Sequence, residues 1–246
     1  MLERIQTGNI LFIDLETVSA QPNYGVLSER MKIHWQRKCK FLLRAQSEAD
    51  INDEHYAQAY SERAAIFAEF GKIVCISIGY IHDKTQELRM KSFYDKDEAS
   101  LLRAFVSLIE SHYHDPDRHL ICGHNIREFD IPYLCRRLLI HSIDLPTIFR
   151  LAGKKPWETK HILDTMELWK FGDYKNYTSL DLLAAVLGVE TPKDDIDGSM
   201  VGQVFWEEDD LDRIARYCEK DVVTVAQVLL RMKGEELLTP EQIVSV

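Results

Sequence analysis

The chain contains no run of 18 or more apolar residues, the length that a membrane-crossing helix needs. The opening segment, MLERIQTGN, has no apolar stretch of the kind that a secretory signal carries, so a cytoplasmic protein is expected. Paired cysteines are missing as well. Cys39, Cys75, Cys122, Cys135 and Cys218 show no C-x-x-C spacing, and most lie in apolar runs. That pattern predicts buried free thiols in a reducing compartment, not disulfides or structural zinc. There is no excess of positive charge, since 30 Lys and Arg face 40 Asp and Glu for a formal net charge of −10. A protein that coats nucleic acid by bulk electrostatics is excluded on that ground. A site that grips a few phosphates locally is not. Internal repeats and low-complexity segments are absent.

What is present is ample core: 246 residues, 46% of them hydrophobic and 28% charged, enough for a single large domain over 1–246. Apolar runs at 9–16 (NILFIDLE), 72–82, 86–94, 119–123 (HLICG) and 161–165 (HILDT) read as strands, with the polar DKT forming a hairpin between the second and third. Asp97 can cap a helix carrying Leu101, Leu102, Phe105, Leu108 and Ile109 at helical spacing. Helices follow at 131–140, with Pro132 in its first turn, and at 179–187, ended by Gly188. A long helix runs from about Leu211 to Met232, with Ile214, Cys218, Val222, Val225 and Leu229 on its buried stripe. This order predicts an α/β fold with a central mixed sheet flanked by helices. Residues 19–71 break the rhythm. Leu27, Met31, Trp35, Cys39 and Leu42 recur at helical spacing and a second helix covers 53–67, so the stretch reads as a helical insertion after the first strand.

Acidic residues in apolar, regular surroundings carry the chemistry. Asp14 and Glu16 stand two apart in FIDLET, so an extended strand points both to one face. Asp130 ends GHNIREFD at a helix start. Tyr217 and Asp221 are four apart in YCEKD and stack on one helix face, at the edge of the buried stripe. Taken singly, each has an ordinary explanation: a polar strand end, a helix cap, an exposed pair. Carboxylates gathered at one point resist ionising together, and all-oxygen donors suit Mg²⁺ or Mn²⁺. Two such ions are the usual apparatus for in-line displacement at phosphorus.

Together FIDLET, GHNIREFD, KDDIDGSMV with its following acidic stretch, and YCEKD resemble the DEDD family of 3′–5′ exonucleases. The resemblance is to the tyrosine subgroup, and among its members to the proofreading exonuclease domains of family B DNA polymerases, over about residues 9–232. It implies a ribonuclease-H-like fold and two divalent cations, Mg²⁺ or Mn²⁺, held by Asp14, Glu16, Asp130 and Asp221. It further implies Tyr217 as the residue that positions the attacking water, and His124, Asn125 and Phe129 beside the terminal nucleotides. The implied substrate is a single-stranded 3′ end, DNA favoured over RNA, in repair or proofreading and with no membrane involved. A separately encoded polymerase or helicase is the implied partner, because the chain has no polymerase domain. The alternatives are an exoribonuclease acting on short RNA and a binding module that has lost catalysis.

Three further features stand apart from that set. Arg30, Lys32, Arg37, Lys38, Lys40 and Arg44 face only Glu29 between residues 28 and 44, and read either as a solvated helix face or as a phosphate-steering strip. Asp164, before MELW, reads as a helix cap, and Asp194, Asp195 and Asp197 as a solvated charged loop. Lys154, Lys155, Trp157, Lys160 and His161 mix basic and aromatic residues, a texture that suits single strands, although a surface loop is the simpler reading.

Overall fold

The computed structural model describes residues 2, 5–42, 52–173, 177–191 and 196–245. Arg44, Asp194 and Asp195 lie outside the described residues. Among the described residues, no helix is long and apolar enough to cross a membrane.

Six strands form one mixed sheet. They are β1 (Ile10–Ser19), β2 (Gly71–Ile81), β3 (Leu88–Tyr94), β4 (Leu120–Gly123), β5 (Ile162–Asp164) and β6 (Ile243–Ser245), in the spatial order β5-β4-β1-β2-β3-β6. The pairs β1–β2 and β2–β3 are antiparallel, whereas β4 and β5 continue parallel to β1, and β6 lies parallel to β3. Both faces are covered. On β1, Leu11, Ile13 and Leu15 pack under α3 (Glu98–His112) and α4 (Asp130–Ile140). Ile10 and Phe12 pack under α8 (Leu211–Lys233). Period-two alternation therefore sends Asp14 and Glu16 to the α8 face, where the apolar strip of β1 gives way to acid. A register shift between Glu16 and Thr17 bends the strand just past the second carboxylate, as bulges next to functional sites commonly do.

The expected insertion leaves the sheet where β1 ends and returns at Gly71, which pairs with Ser19. It contains α1 (Glu29–Leu42) and α2 (Asp53–Arg63), closed around their own small core. Trp35 is fully buried there, edge-on to Tyr60 and Phe70, and its indole N–H donates to the Tyr56 carbonyl at 3.0 Å. The second helix ends before its periodicity predicts, in a 3₁₀ turn over Ala64–Ile66.

A buried polar network fastens this insertion to the body. Glu98, at the start of α3, accepts from the Ile73 amide and from Arg137 Nε, both at 2.8 Å, and from a second Arg137 nitrogen. Arg137 also donates to the Ala68 carbonyl at 2.7 Å, and His141 reaches Glu98 at 2.7 Å. Asp97 caps α3 as expected, and Gly188 ends α6 (Leu180–Leu187) with φ +66°. Between α6 and α8 lie a single turn, α7 (Val201–Gln203), and a π turn over Val204–Glu208. Neither the π turn nor β6 has a periodic signature in the sequence, the first because it is one turn and the second because its three residues are half-exposed or exposed.

Replacing Arg137 with Ala leaves the buried Glu98 carboxylate with only the Ile73 amide and His141 as partners, and losing the guanidinium costs up to about 3–5 kcal/mol in comparable pairs. Urea unfolding followed by tryptophan emission should show the midpoint falling accordingly. A loss under about 1 kcal/mol would mean that water replaces the guanidinium without strain.

Candidate metal centre

The long helix α8 supplies two of the candidate groups. Ile214, Cys218, Val222, Val225 and Leu229 are buried, so Tyr217 and Asp221, each one residue before a stripe position, fall at the edge of the buried stripe and are half-buried. Tyr217 packs against the cluster that includes Val18 and Val74, beside the end of β1. Asp221 faces the strand carboxylates. Its charge is the strongest of the neighbouring groups that hold the Asp14 and Glu16 carboxyls well above their usual range, second only to burial itself. Asp130 adds to the repulsion on both.

Asp130 stands at the first residue of α4 and is 5% exposed. Burial raises its pKa from the usual 3.8 to about 7. Backbone amides of Asp130 and Leu15 oppose that rise, while the charges of Asp164 and Asp221 add to it. Three separate elements thus bring Asp14, Glu16, Asp130 and Asp221 within electrostatic reach at the end of β1. A carboxylate cluster of this kind is costly unless protons or cations compensate it.

Cys218 belongs to this cluster and was legible in the sequence only as a stripe residue. Its Sγ lies 3.3 Å from Asp14 Oδ2 and 3.4 Å from the Asp14 carbonyl. Donor atoms of Asp14, Glu16 and Cys218 all fall within 4.8 Å of one another. Burial pushes the thiol far up, so Cys218 is a neutral S–H donor that fixes the Asp14 carboxylate. The hard oxygen donors therefore define the site, and they fit Mg²⁺ or Mn²⁺.

The loop from β4 to α4 is held by a second acid. Gly123 ends β4 where a Cβ would lie 2.8 Å from the Ile13 carbonyl and closer still to Ile126. Asn125 then adopts φ +60°. Asp164 caps α5 (Thr165–Lys170) by accepting from Met166 and Glu167, as its position before MELW predicts. It also accepts from the backbone amides of Asn125 at 2.9 Å and Arg127 at 3.0 Å, across 39 and 37 residues. This second duty has no sequence signal. Asp164 positions the segment that delivers Asp130.

His124 is committed within the protein, with Nδ1 at 2.9 Å from Thr165 Oγ1 and Nε2 at 2.8 Å from the Thr178 carbonyl. Burial lowers its pKa and keeps the ring neutral. Phe129 leans on Tyr133, with centroids 5.4 Å apart. Asn125 Oδ1 is buried with no hydrogen-bond partner among the described residues, a cost that a native fold rarely leaves unmet.

Residues 66–242, which contain Asp130, Tyr217 and Asp221, match the family described as "Predicted 3'-5' exonuclease related to the exonuclease domain of PolB". The chain belongs to that family. Asp14, Glu16 and most of the insertion precede the matched region. Among solved structures, the family B DNA polymerase from the hyperthermophilic archaeon Pyrobaculum calidifontis is similar, with a TM-score of 0.55 and 17% identity. The similarity covers 91% of this chain and 24% of the polymerase chain, so it concerns the fold of about a quarter of that protein. The six-stranded sheet and its flanking helices are accordingly the ribonuclease-H-like fold of a family B exonuclease domain. No curated protein matches the sequence.

The raised Asp130 carboxyl has a consequence for stability. Because its native pKa of about 7 lies above the usual 3.8, its contribution is full below pH 4 and is lost as pH rises through 7. Asp130→Asn keeps that position neutral. Without divalent cations the variant should gain on the parent between pH 5 and pH 8, by a few kcal/mol at most at about 1.4 kcal/mol per pKa unit. Thermal melts in a chelator check this. Mg²⁺ should then restore the parent at pH 8 more than the variant, and parallel pH curves would remove Asp130 from the acid cluster.

Proposed function

We propose that the chain is a metal-dependent 3′–5′ exonuclease that releases nucleoside monophosphates from single-stranded DNA, in repair or proofreading. The convergence of Asp14, Glu16, Asp130 and Asp221 at the end of β1 carries this reading, and membership of the exonuclease family supports it. The four carboxylates would hold two divalent cations, Mg²⁺ or Mn²⁺. Bound there, the cations supply a polarised water and neutralise charge developing on the phosphoryl oxygens.

The chain's own groups have separate roles. A phenol, whose usual pKa is ~10, keeps its proton at neutral pH and cannot take another group's, so Tyr217 is not the base. Its hydroxyl orients the attacking water by hydrogen bonding. Cys218 keeps Asp14 in one rotamer through its S–H contact. Asn125 and Phe129 meet the terminal nucleotide, and the unpartnered Asn125 carbonyl oxygen is the group on that loop most in need of a donor. His124, bonded at both ring nitrogens, supports that contact by fixing the loop. The preference for DNA rests on the likeness to a DNA polymerase, and the pathway is read from the same likeness. A polymerase or helicase would bring the 3′ end. RNA remains the second reading, since the same fold and donor set would serve either sugar.

End-labelled DNA and RNA strands, incubated with Mg²⁺, Mn²⁺ or a chelator, test the proposal. Stepwise shortening from the 3′ end should require the cation and should be faster on DNA. Asp14→Asn and Asp221→Asn should abolish it. Tyr217→Phe should slow it ~10²–10³-fold, the usual cost of one oriented donor, with folding and cation binding nearly unchanged. Binding of strands by a chain that never shortens them would establish the non-catalytic alternative. Undiminished turnover by Tyr217→Phe would make the tyrosine structural.

A further inference from the structure

A groove of about 900 Å³ runs along the edge of β5. Its lining includes apolar Leu163 and the charged or aromatic Arg127, Glu128, Lys154, Trp157, Lys160 and Glu167. Trp157 is 63% exposed, unusual for the largest apolar side chain, and the Lys155 ammonium lies 5.0 Å from its ring centroid. The turn that presents it is well built. Pro156 opens the turn, Glu158 accepts from the Lys155 amide at 2.9 Å, and Thr159 closes it on the Pro156 carbonyl.

This wall is tied to the candidate metal centre. Arg127 belongs to the loop between Asn125 and Asp130, and its guanidinium donates to the Thr159 hydroxyl and carbonyl at 3.0 and 2.9 Å. It also pairs with Glu167 at 2.8 Å, which offsets one of the two acids of the groove, the other being the exposed Glu128. Lys154, Lys155 and Lys160 are exposed and form no ion pair among the described residues. Part of the basic strip of α1 is already paired. There Lys32 is paired with Glu29 at 2.9 Å, and Lys38 lies 3.8 Å from Glu69 and 3.9 Å over the Phe67 ring. Three lysines with no ion pair among the described residues thus stand beside an exposed indole at the groove, in a chain of net charge −10. His161, which the sequence groups with them, is instead 4% exposed and bonds the Ile148 carbonyl at 2.9 Å.

We infer that this groove is the track of the single DNA strand whose 3′ end occupies the carboxylate cluster. A base stacks on Trp157, and backbone phosphates lie against Lys154, Lys155 and Lys160. Stacking is indifferent to base identity, and the cations follow the backbone, so the track lengthens the grip on the substrate without reading its sequence. The inference rests on the exonuclease reading for the identity of the strand. It adds a position several nucleotides from the reacting phosphate that the carboxylates do not supply.

The test uses the full chain and oligothymidylate of about twelve nucleotides, within the range of single-strand site sizes, beside a trinucleotide. Binding is read by fluorescence polarisation in a chelator, apart from cleavage, and cleavage separately with Mg²⁺. Trp157→Ala should weaken binding of the long strand about tenfold and raise its KM, leaving kcat and the trinucleotide KM unchanged. Trp157→Phe should recover most of the loss. Lys154→Glu with Lys160→Glu should reduce the salt slope by about 0.7 for each phosphate no longer gripped. Unchanged affinity and slope in these variants would overturn the inference, as would a flattened slope only on reversing Arg30 and Arg37 of α1. Strand binding that depends on Trp157 in a protein without cleavage would sustain the groove and sink the exonuclease reading. Cleavage indifferent to Trp157 would do the reverse.

Discussion

Four carboxyl groups forced together at the end of one strand are the constraint on which this fold turns. Asp14 and Glu16 continue the face of β1 that Ile10 and Phe12 bury under α8, and burial together with Asp221 drives both toward the protonated state. An apolar residue at either place would extend the core. Acid there costs stability, and it persists in a fold only where the sheet and helix hold the chain regardless of that cost. The buried interiors on both faces of β1 provide that hold.

Support for the cluster comes from polar side chains outside the four carboxylates. Asp164 bonds the amides of Asn125 and Arg127 and so sets the path into Asp130. Cys218 fixes Asp14 from α8. The Glu98–Arg137 network joins α3 and α4 to the base of the insertion through Ile73 and Ala68. Each of these links elements distant in sequence, and each satisfies a buried polar group that would otherwise be bare. Rigid supporting partners of this kind are what keep a reactive cluster within the narrow geometry that chemistry needs.

The functional surface divides by distance from the reacting atoms. The cluster gathers carboxyl groups that resist ionising together without a cation, whereas the groove along β5 offers an exposed indole and lysines with no ion pair among the described residues. On the proposed function, one would carry the chemistry and the other would steady a polyanion whose bulk approach an acidic protein resists. The basic face of α1, although richer in cations, spends part of its charge on Glu29 and Glu69.

Much was determined by the sequence alone. Alternation along 9–16 specifies that Asp14 and Glu16 share a face, because a strand has a period of two. The stripe of the last helix places Tyr217 and Asp221 at its edge, because a helix turns about 100° per residue. Asp97 and Gly188 mark helix ends by capping rules that are local. Tertiary structure alone decided the rest. β6 exists because β3 offers it a partner, not because IVS has strand character. Asp164 bonds residues 37 and 39 positions away, Cys218 touches Asp14 across 204 positions, and His161 turns from a basic surface loop into the core. Local sequence encodes which way a side chain points from its own element. Which groups then meet depends on how the sheet orders its strands, and no short-range pattern carries that information.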